Sequence, residues 1–470
     1  MAVVMFTTPW PIPASIACPA EDFTVHRACP SAAPRLATGS RADLWNERER
    51  PAADRLEAPM AKRHPSASDS KTLWKRWVMA APLSALLVIL VLWFAVHRVA
   101  WLGPFMANTL RTVLGTDNVA RLEDTAYAVE DRFNRWWKQG ERPKAHWQVP
   151  SRNLSDDATG DKPQPKVASE PPMPPFSPAD VGPVHKSWSA PGDGQWVPVV
   201  DPRFSSADPF MYKTLLHPDR NRSWAELFVV AVDLRRVKLH SVPGYREPKA
   251  TVTPEPTLKR PGLVPPEHHD VVLAAFNGGF MTEHGRYGMM VKGVTLVPAR
   301  DRACTIAEYD DGALRIGTWS KLKAREPEMI WYRQAPNCMF EEGRIHPALV
   351  NRDSRHWGAT LDGDTVIRRS AIGLNPTRDT LYVGITNHTT AHAIATGMRH
   401  AGASDVAQLD VNWSYPKFVF FRAPEPGSPL EAVALADGFE YKKGEYLRDR
   451  SLRDFFYLTV AQPPPKTAGK

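Results

Sequence analysis

The stretch best equipped for chemistry is AAFNGGF, residues 274–280, where the apolar run 271–276 stops at Asn277, Gly278 and Gly279. That pattern predicts a buried strand ending in a tight backbone turn. Adjacent glycines admit positive φ and let a ligand approach the main chain, and the Asn277 amide both donates and accepts. An ordinary Asn-Gly hairpin turn has the same sequence appearance. Glu267, His268, His269 and Asp270 carry metal-ligand side chains, but consecutive loop residues do not converge on one ion, so neither a metal site nor a cofactor is predicted. Cys304 and Cys338 belong to no CxxC pair; outside the cytoplasm they are free to form a disulfide, which spacing alone does not establish.

The elements that must position the Asn-Gly-Gly turn lie beyond about residue 201. Residues 227–232 are an apolar run that continues through DLRRVKLHSV with the near-alternation of a second strand. Residues 289–296 and 314–319 read as further strands, with turns at Lys292-Gly293 and Asp311-Gly312, and Asp362-Gly363 marks another hairpin. A helix is predicted from Thr389 or Thr390 to His400, with Gly402 as its stop. Strands resume at 406–411 and 418–421. This order predicts a sheet-rich α+β domain with few helices over residues 201–463.

The preceding chain has another character. Of 470 residues 45 are proline, nearly twice the usual share of about 5%, so much of the length is not packed core. The formal charge of +8 is scattered without a basic stripe or a nucleic-acid motif, which argues against a nucleic-acid partner. Residues 1–77 alternate Pro, Ala, Ser and charges without period and are predicted to be a disordered cytoplasmic segment, with Met60 a candidate for the true start. Residues 78–96, VMAAPLSALLVILVLWFAV, carry no charge and approach the ~20 residues that cross ~30 Å of hydrocarbon. Trp74, Trp77, Trp93 and Trp101 suit the interfacial belts. Lys62, Arg63, Lys71, Lys75 and Arg76 precede the run, whereas only Arg98 and Arg111 closely follow it.

Residues 78–102 are therefore predicted to be a single transmembrane signal anchor, uncleaved for want of a small-residue cleavage site. The N-terminus is then cytoplasmic and the C-terminal domain exported, periplasmic or extracellular. Residues 103–140 carry Leu110, Val113, Leu122, Val129, Phe133 and Trp136 at helical spacing and read as one or two juxtamembrane helices lying against the membrane or the domain. Residues 141–200 read as a Pro-rich linker, an extended spacer holding the domain away from the bilayer.

Three separated pieces of the domain resemble the phosphodiester glycosidase family, which includes the enzyme that uncovers mannose 6-phosphate by removing N-acetylglucosamine from a phosphodiester. VVLAAFNGGF is similar to the family's strand ending in an Asn-Gly-Gly-Phe turn, and RRSAIGL, at Arg369, Ala371 and Gly373, to a strand carrying an arginine. HAIATGMRHAGASDVAQLDVNWS looks like the family's helix, its Gly-Ala turn and the Leu-Asp strand end that follows. With VVAVDLRRVKLHSV, the likeness runs through about residues 225–420 in the family's order. The family's glycine run after Leu-Asp is replaced here by Val411, Asn412 and Trp413 before Ser414, and its acidic helix residue by His392 and Ala393. Turn N–H groups bind phosphate only where side chains leave room, so the replacement implies either another substrate or lost catalysis.

The resemblance implies a hydrolase acting on a sugar joined through its anomeric carbon to phosphate, or on a related cell-envelope glycan. Phosphate leaves readily, so stabilising its charge matters more than protonating it. That is a task for a planar arginine fork, for which Arg369 is the predicted residue, with Arg368 on the strand's other face. Glycosyl transfer to water ordinarily uses two carboxylates. Asp410, ending a strand, is the predicted base or nucleophile, and Glu283, close behind the turn, or Asp301 the second. Asn277, Gly278, Gly279, His388, Asn412 and Ser414 are the predicted binders of sugar hydroxyls or phosphate. The alternative is a catalytically inactive envelope protein of the same fold that binds a glycan or a partner.

Overall fold

Runs such as LFVVAVD and VLAAFN, too short for core helices and apolar on both alternating sets, make strands covered on both faces. The computed structural model describes residues 116–149, 174–204, 208–351, 355–357, 366–411 and 414–461, with isolated positions before them. Residues 1–77, expected to be cytoplasmic, nearly all of 78–102, the expected Asp362-Gly363 turn and Asn412 lie outside these residues. No described helix is long and apolar enough to cross a membrane. The chain divides into Met1–Leu87 and Val88–Lys470, and the described elements belong to the second unit.

In chain order the strands are β1 (Val197–Val199), β2 (Met211–Leu216), β3 (Leu227–Asp233), β4 (Val237–Val242), β5 (Val272–Asn277) and β6 (Met289–Val291). Then come β7 (Val294–Val297), β8 (Cys304–Tyr309), β9 (Leu314–Thr318), β10 (Met329–Ala335), β11 (Phe340–Glu341) and β12 (Arg344–Ile345). Last are β13 (Ile367–Leu374), β14 (Thr380–Thr389), β15 (Asp405–Val411), β16 (Phe418–Arg422), β17 (Glu431–Ala434) and β18 (Phe455–Val460). The long helices are α1 (Thr116–Trp137) and α2 (Ala391–His400).

Among the described residues the strands form three antiparallel sheets: eight strands ordered β1-β2-β3-β14-β13-β15-β11-β12, five ordered β7-β6-β10-β8-β9, and five ordered β17-β16-β5-β18-β4. All three share one apolar core. Phe228 and Val230 of β3, Ile372 of β13, Phe276 of β5, Trp331 of β10 and Phe456 of β18 meet there. The opposite face of the large sheet, with Val229, Ala231 and Ala371, is covered by Ile394 and Met398 of α2. The expected sheet-rich α+β domain is thus observed. α2 starts where the Thr390 Oγ1 accepts the Ala393 N–H at 3.1 Å and ends before Gly402, whose φ of +120° suits glycine.

Residues 141–200, expected as a free spacer, are in part built into the domain. Trp147 packs on the central core, Phe176 and Trp196 enter the helix-covered core, and β1 extends the large sheet. The aromatic residues set among the prolines supply the apolar area that holds these segments down. α1 is tied to the domain as well: Arg222 donates to both carboxylate oxygens of Asp131 at 2.7 Å.

Cys304 and Cys338 form a disulfide that joins the start of β8 to the segment after β10. Their separation is 34 residues, and closing a loop of that length is worth about 4 kcal/mol. Replacing both cysteines with alanine is expected to lower the unfolding free energy by about that amount in denaturant titrations, and addition of reductant to the native protein should do the same.

Candidate functional site

β5 is the middle strand of its sheet and carries Asn277 to the end of it, with Phe276 stacked between Phe418 and Phe456. Asn277 is fully buried. Its Nδ2 donates to the Ser370 Oγ at 2.8 Å, and its Oδ1 accepts the Lys417 N–H at 3.1 Å. The Ser370 hydroxyl in turn donates to the Asp410 carbonyl at 2.9 Å, so one chain of bonds ties the turn to β13 and β15. Gly278 donates its N–H to the Asp454 carbonyl and accepts the Asp410 N–H, each at 3.0 Å, and Gly279 donates to Asp454 Oδ2 at 2.9 Å.

Neither glycine takes the positive φ that the sequence suggested. What they need is close approach. A Cβ on Gly278 would lie 2.2 Å from Asp454 Oδ2, and one on Gly279 would lie 2.7 Å from the Arg333 Cζ. Arg333, itself fully buried, donates through Nε and Nη2 to the two Asp454 oxygens at 2.8 and 3.1 Å, and through Nη2 to the Phe280 carbonyl at 2.6 Å. The planar fork suits this combination of carboxylate and carbonyl.

Asp410 reaches the same turn because β15 is bulged. Ala371 opposes Gln408, but two residues back Arg369 opposes Val411, so β15 holds one extra residue there. The extra residue turns Asp410 away from the side shared by Gln408 and toward the Asn-Gly-Gly turn. Its side chain is 2% exposed; Oδ1 accepts the Val411 N–H at 2.9 Å and Oδ2 accepts from Arg453 Nη1. Burial lifts this carboxyl to about 6, against the pull of Arg453 and the Val411 N–H. Because that value exceeds the ordinary 3.8, the stability it contributes is fully present below 3.8 and is lost as pH rises through about 6. Burial works against the charge of Arg453, yet Asp410 beside it holds the guanidinium above its ordinary value. Arg453 remains 21% exposed and packs 4.6 Å from the centre of the Tyr415 ring, whose hydroxyl donates to the Asp454 carbonyl.

The fold therefore gathers Asn277, Gly278, Gly279 and Asp410 as the sequence suggested. Arg369 is a correction. It neighbours Ser370 on β13 and so points to the other face, where it donates to the Trp357 carbonyl at 2.6 Å, Gln408 Oε1 at 2.9 Å and the Thr389 carbonyl at 3.1 Å. It is almost wholly buried there, and burial pushes its guanidinium down to about 9. Glu283 sits on an open loop, 51% exposed and 3.8 Å from His284, and Asp301 is exposed beside Lys323. His388 lies near the end of β14. Burial first, then Arg368 and Lys138, lowers it to about 4, so it is neutral at pH 7 and brings no charge to an anion. Ser414 is half-buried just beyond Asn412 and Trp413, which lie outside the described residues. In the EHHD run the His268 ring bonds the Tyr457 hydroxyl and the His269 ring the Val264 carbonyl.

Arg333, Arg453 and Asp454 had no motif to announce them. One signal was present in MIWYRQA: a lone charge, Arg333, inside an otherwise uncharged and mostly apolar strand must meet a buried acceptor.

No family model matches the chain, and no curated protein matches it. Among solved structures, a hypothetical protein from Synechocystis is 9% identical with a TM-score of 0.31, over 53% of this chain and 62% of that chain. A candidate exported protein from Burkholderia pseudomallei K96243 is 11% identical with a TM-score of 0.32, over 55% of this chain and 76% of that chain.

The two ion pairs at the turn differ in what they hold. Asp454→Ala is expected to cost about 3–5 kcal/mol, because it strands a buried guanidinium. Arg453→Gln should cost clearly less, since Arg453 is partly exposed and Asp410 can take up a proton. Denaturant unfolding of both variants checks the order, and equal losses would contradict it.

Proposed function

We propose that this domain is a glycosidase-like hydrolase of sugar phosphodiesters or related cell-envelope glycans, exported and held to the membrane by residues 78–102. The observation that carries the reading is Asp410: a buried carboxyl lifted to about 6, turned by a bulge onto the Asn-Gly-Gly turn and paired with a partly open Arg453. A carboxyl in that range exchanges protons near neutrality.

The chemistry follows from competition for Arg453. A phosphodiester oxygen that engages the guanidinium displaces Asp410 from it. Asp410 then loses its compensating charge and binds a proton more strongly. It takes that proton from a water attacking the anomeric carbon; the bond from that carbon to the phosphate oxygen breaks, and the phosphate leaves with the electron pair, its charge balanced by Arg453. Such a leaving group needs no proton from a second carboxylate, so the exposed Glu283 is not required. The resemblance across residues 225–420 supports the same class, and the Cys304–Cys338 disulfide supports an oxidising compartment.

A second reading, a module that binds a glycan or partner without turnover, is favoured by the engagement of both Asp410 oxygens and by the bulky Val411-Asn412-Trp413 sequence.

On the first reading Asp410→Asn lowers turnover of a sugar phosphodiester by about 10²–10⁴-fold while unfolding stays cooperative. The native kcat/KM rises with pH through about 6, since the base must be ionised. Native rates in the variant, or a flat profile, would remove Asp410 from the chemistry; tight binding without turnover would establish the second reading.

A further inference from the structure

α1 is amphipathic in the reverse sense of an ordinary surface helix, whose apolar stripe faces the core. Its domain side is marked by Asp131, paired with Arg222, and by Lys138, 5.1 Å from the centre of the Trp224 ring. At 3.6 residues per turn, Tyr127 and Lys138 fall within about 40° of Asp131, whereas Leu122, Val129, Phe133 and Trp136 fall within about 40° of the opposite direction. The exposures agree: Leu122 is 54% exposed, Val129 60%, Trp136 67% and Trp137 58%. The rings of Phe133, Trp136 and Trp137 cluster with centres 5.8–6.2 Å apart. A contiguous apolar stripe that a helix presents outward, while its charged side is fastened to the protein, calls for a cover.

Resting on the anchor reading of residues 78–102, we propose that the cover is the lipid bilayer surface. α1 lies in the interface plane with Leu122, Val129 and Trp136 in the boundary between headgroups and acyl chains, and it seats the domain directly on the membrane. The uncharged run 78–96 precedes the helix by only residues 97–115, which keeps α1 within reach of the bilayer wherever that run is inserted. Paired indoles at one end of the stripe suit the wet, amphipathic interface. A coiled coil with a second copy fits less well: Leu122, Ala126, Val129, Phe133 and Trp136 hold heptad spacing over two heptads, short of the three to four such a seam sustains. The domain then works on substrates at the membrane surface, not at a distance from it.

The test uses the full chain carrying Cys18→Ser and Cys29→Ser, reconstituted into vesicles of phosphatidylethanolamine and phosphatidylglycerol. One environment-sensitive fluorophore is placed at a time through Val88→Cys, Val129→Cys, Trp136→Cys or Gln139→Cys. At 129 and 136, brominated lipid is expected to remove most of the emission and aqueous iodide almost none, with the reverse at 139. Iodide quenching at 129 and 136 equal to that at 139, beside a lipid-buried label at 88, overturns this inference alone. A water-exposed label at 88 overturns the anchor reading. Protection of 129 and 136 from both quenchers, with self-quenching between copies, gives the stripe to a second copy and also overturns the bilayer assignment.

Discussion

A buried ion pair, Arg333 with Asp454, is the constraint around which this domain is arranged. Arg333 comes from β10 in one five-stranded sheet and Asp454 from the residue before β18 in the other, 121 positions later. Two charges without water demand nearly complete compensation. Asp454 obtains it from the guanidinium and the Gly279 N–H, and Arg333 from Asp454 and the Phe280 carbonyl. The Asn-Gly-Gly turn is the piece of backbone that fits between them, and its glycines are there because any Cβ would collide with the pair. Through Gly278, Asn277 and Ser370 the turn also reaches β13 and β15, so all three sheets meet at this point.

The site follows from that meeting. β15 arrives with its last residues bulged, which sends Asp410 into the same low-dielectric space and raises its affinity for a proton. Arg453, adjacent to Asp454 in the chain, supplies the compensating charge while keeping an edge in solvent. The inner pair is fully buried and fixes the geometry, whereas the outer pair keeps Arg453 21% exposed, which is what the proposed exchange of partners requires. On the proposed reading, that division of labour is what separates Asp410 from a carboxyl that merely closes a turn.

Much of the fold was legible because its signals are local. The apolar run before Asn277, the Lys292-Gly293 turn, the Thr390 cap and the Gly402 stop each act within a few residues. The candidate site was half legible. Asn277, Gly278, Gly279 and Asp410 stand at strand ends, which periodicity reveals, but their partners Arg333, Arg453 and Asp454 become neighbours only through sheet topology. Arg369 misled for a related reason: an arginine on a strand is legible, whereas the face it occupies depends on a register that places Ser370, not Arg369, toward the turn. The spacer reading of residues 141–200 failed where Trp147, Phe176 and Trp196 outweigh the prolines around them.

The central claim is that an anionic sugar comes to the outer pair, at Arg453 and Asp410, and not to the arginine on the other face of β13. A crystal structure of the Asp410→Asn protein with an intact sugar phosphodiester bound tests it most directly. A phosphate oxygen within about 3 Å of the Arg453 guanidinium is the predicted result. Phosphate on the α2 side of the sheet beside Arg369, with Arg453 untouched, would contradict the account.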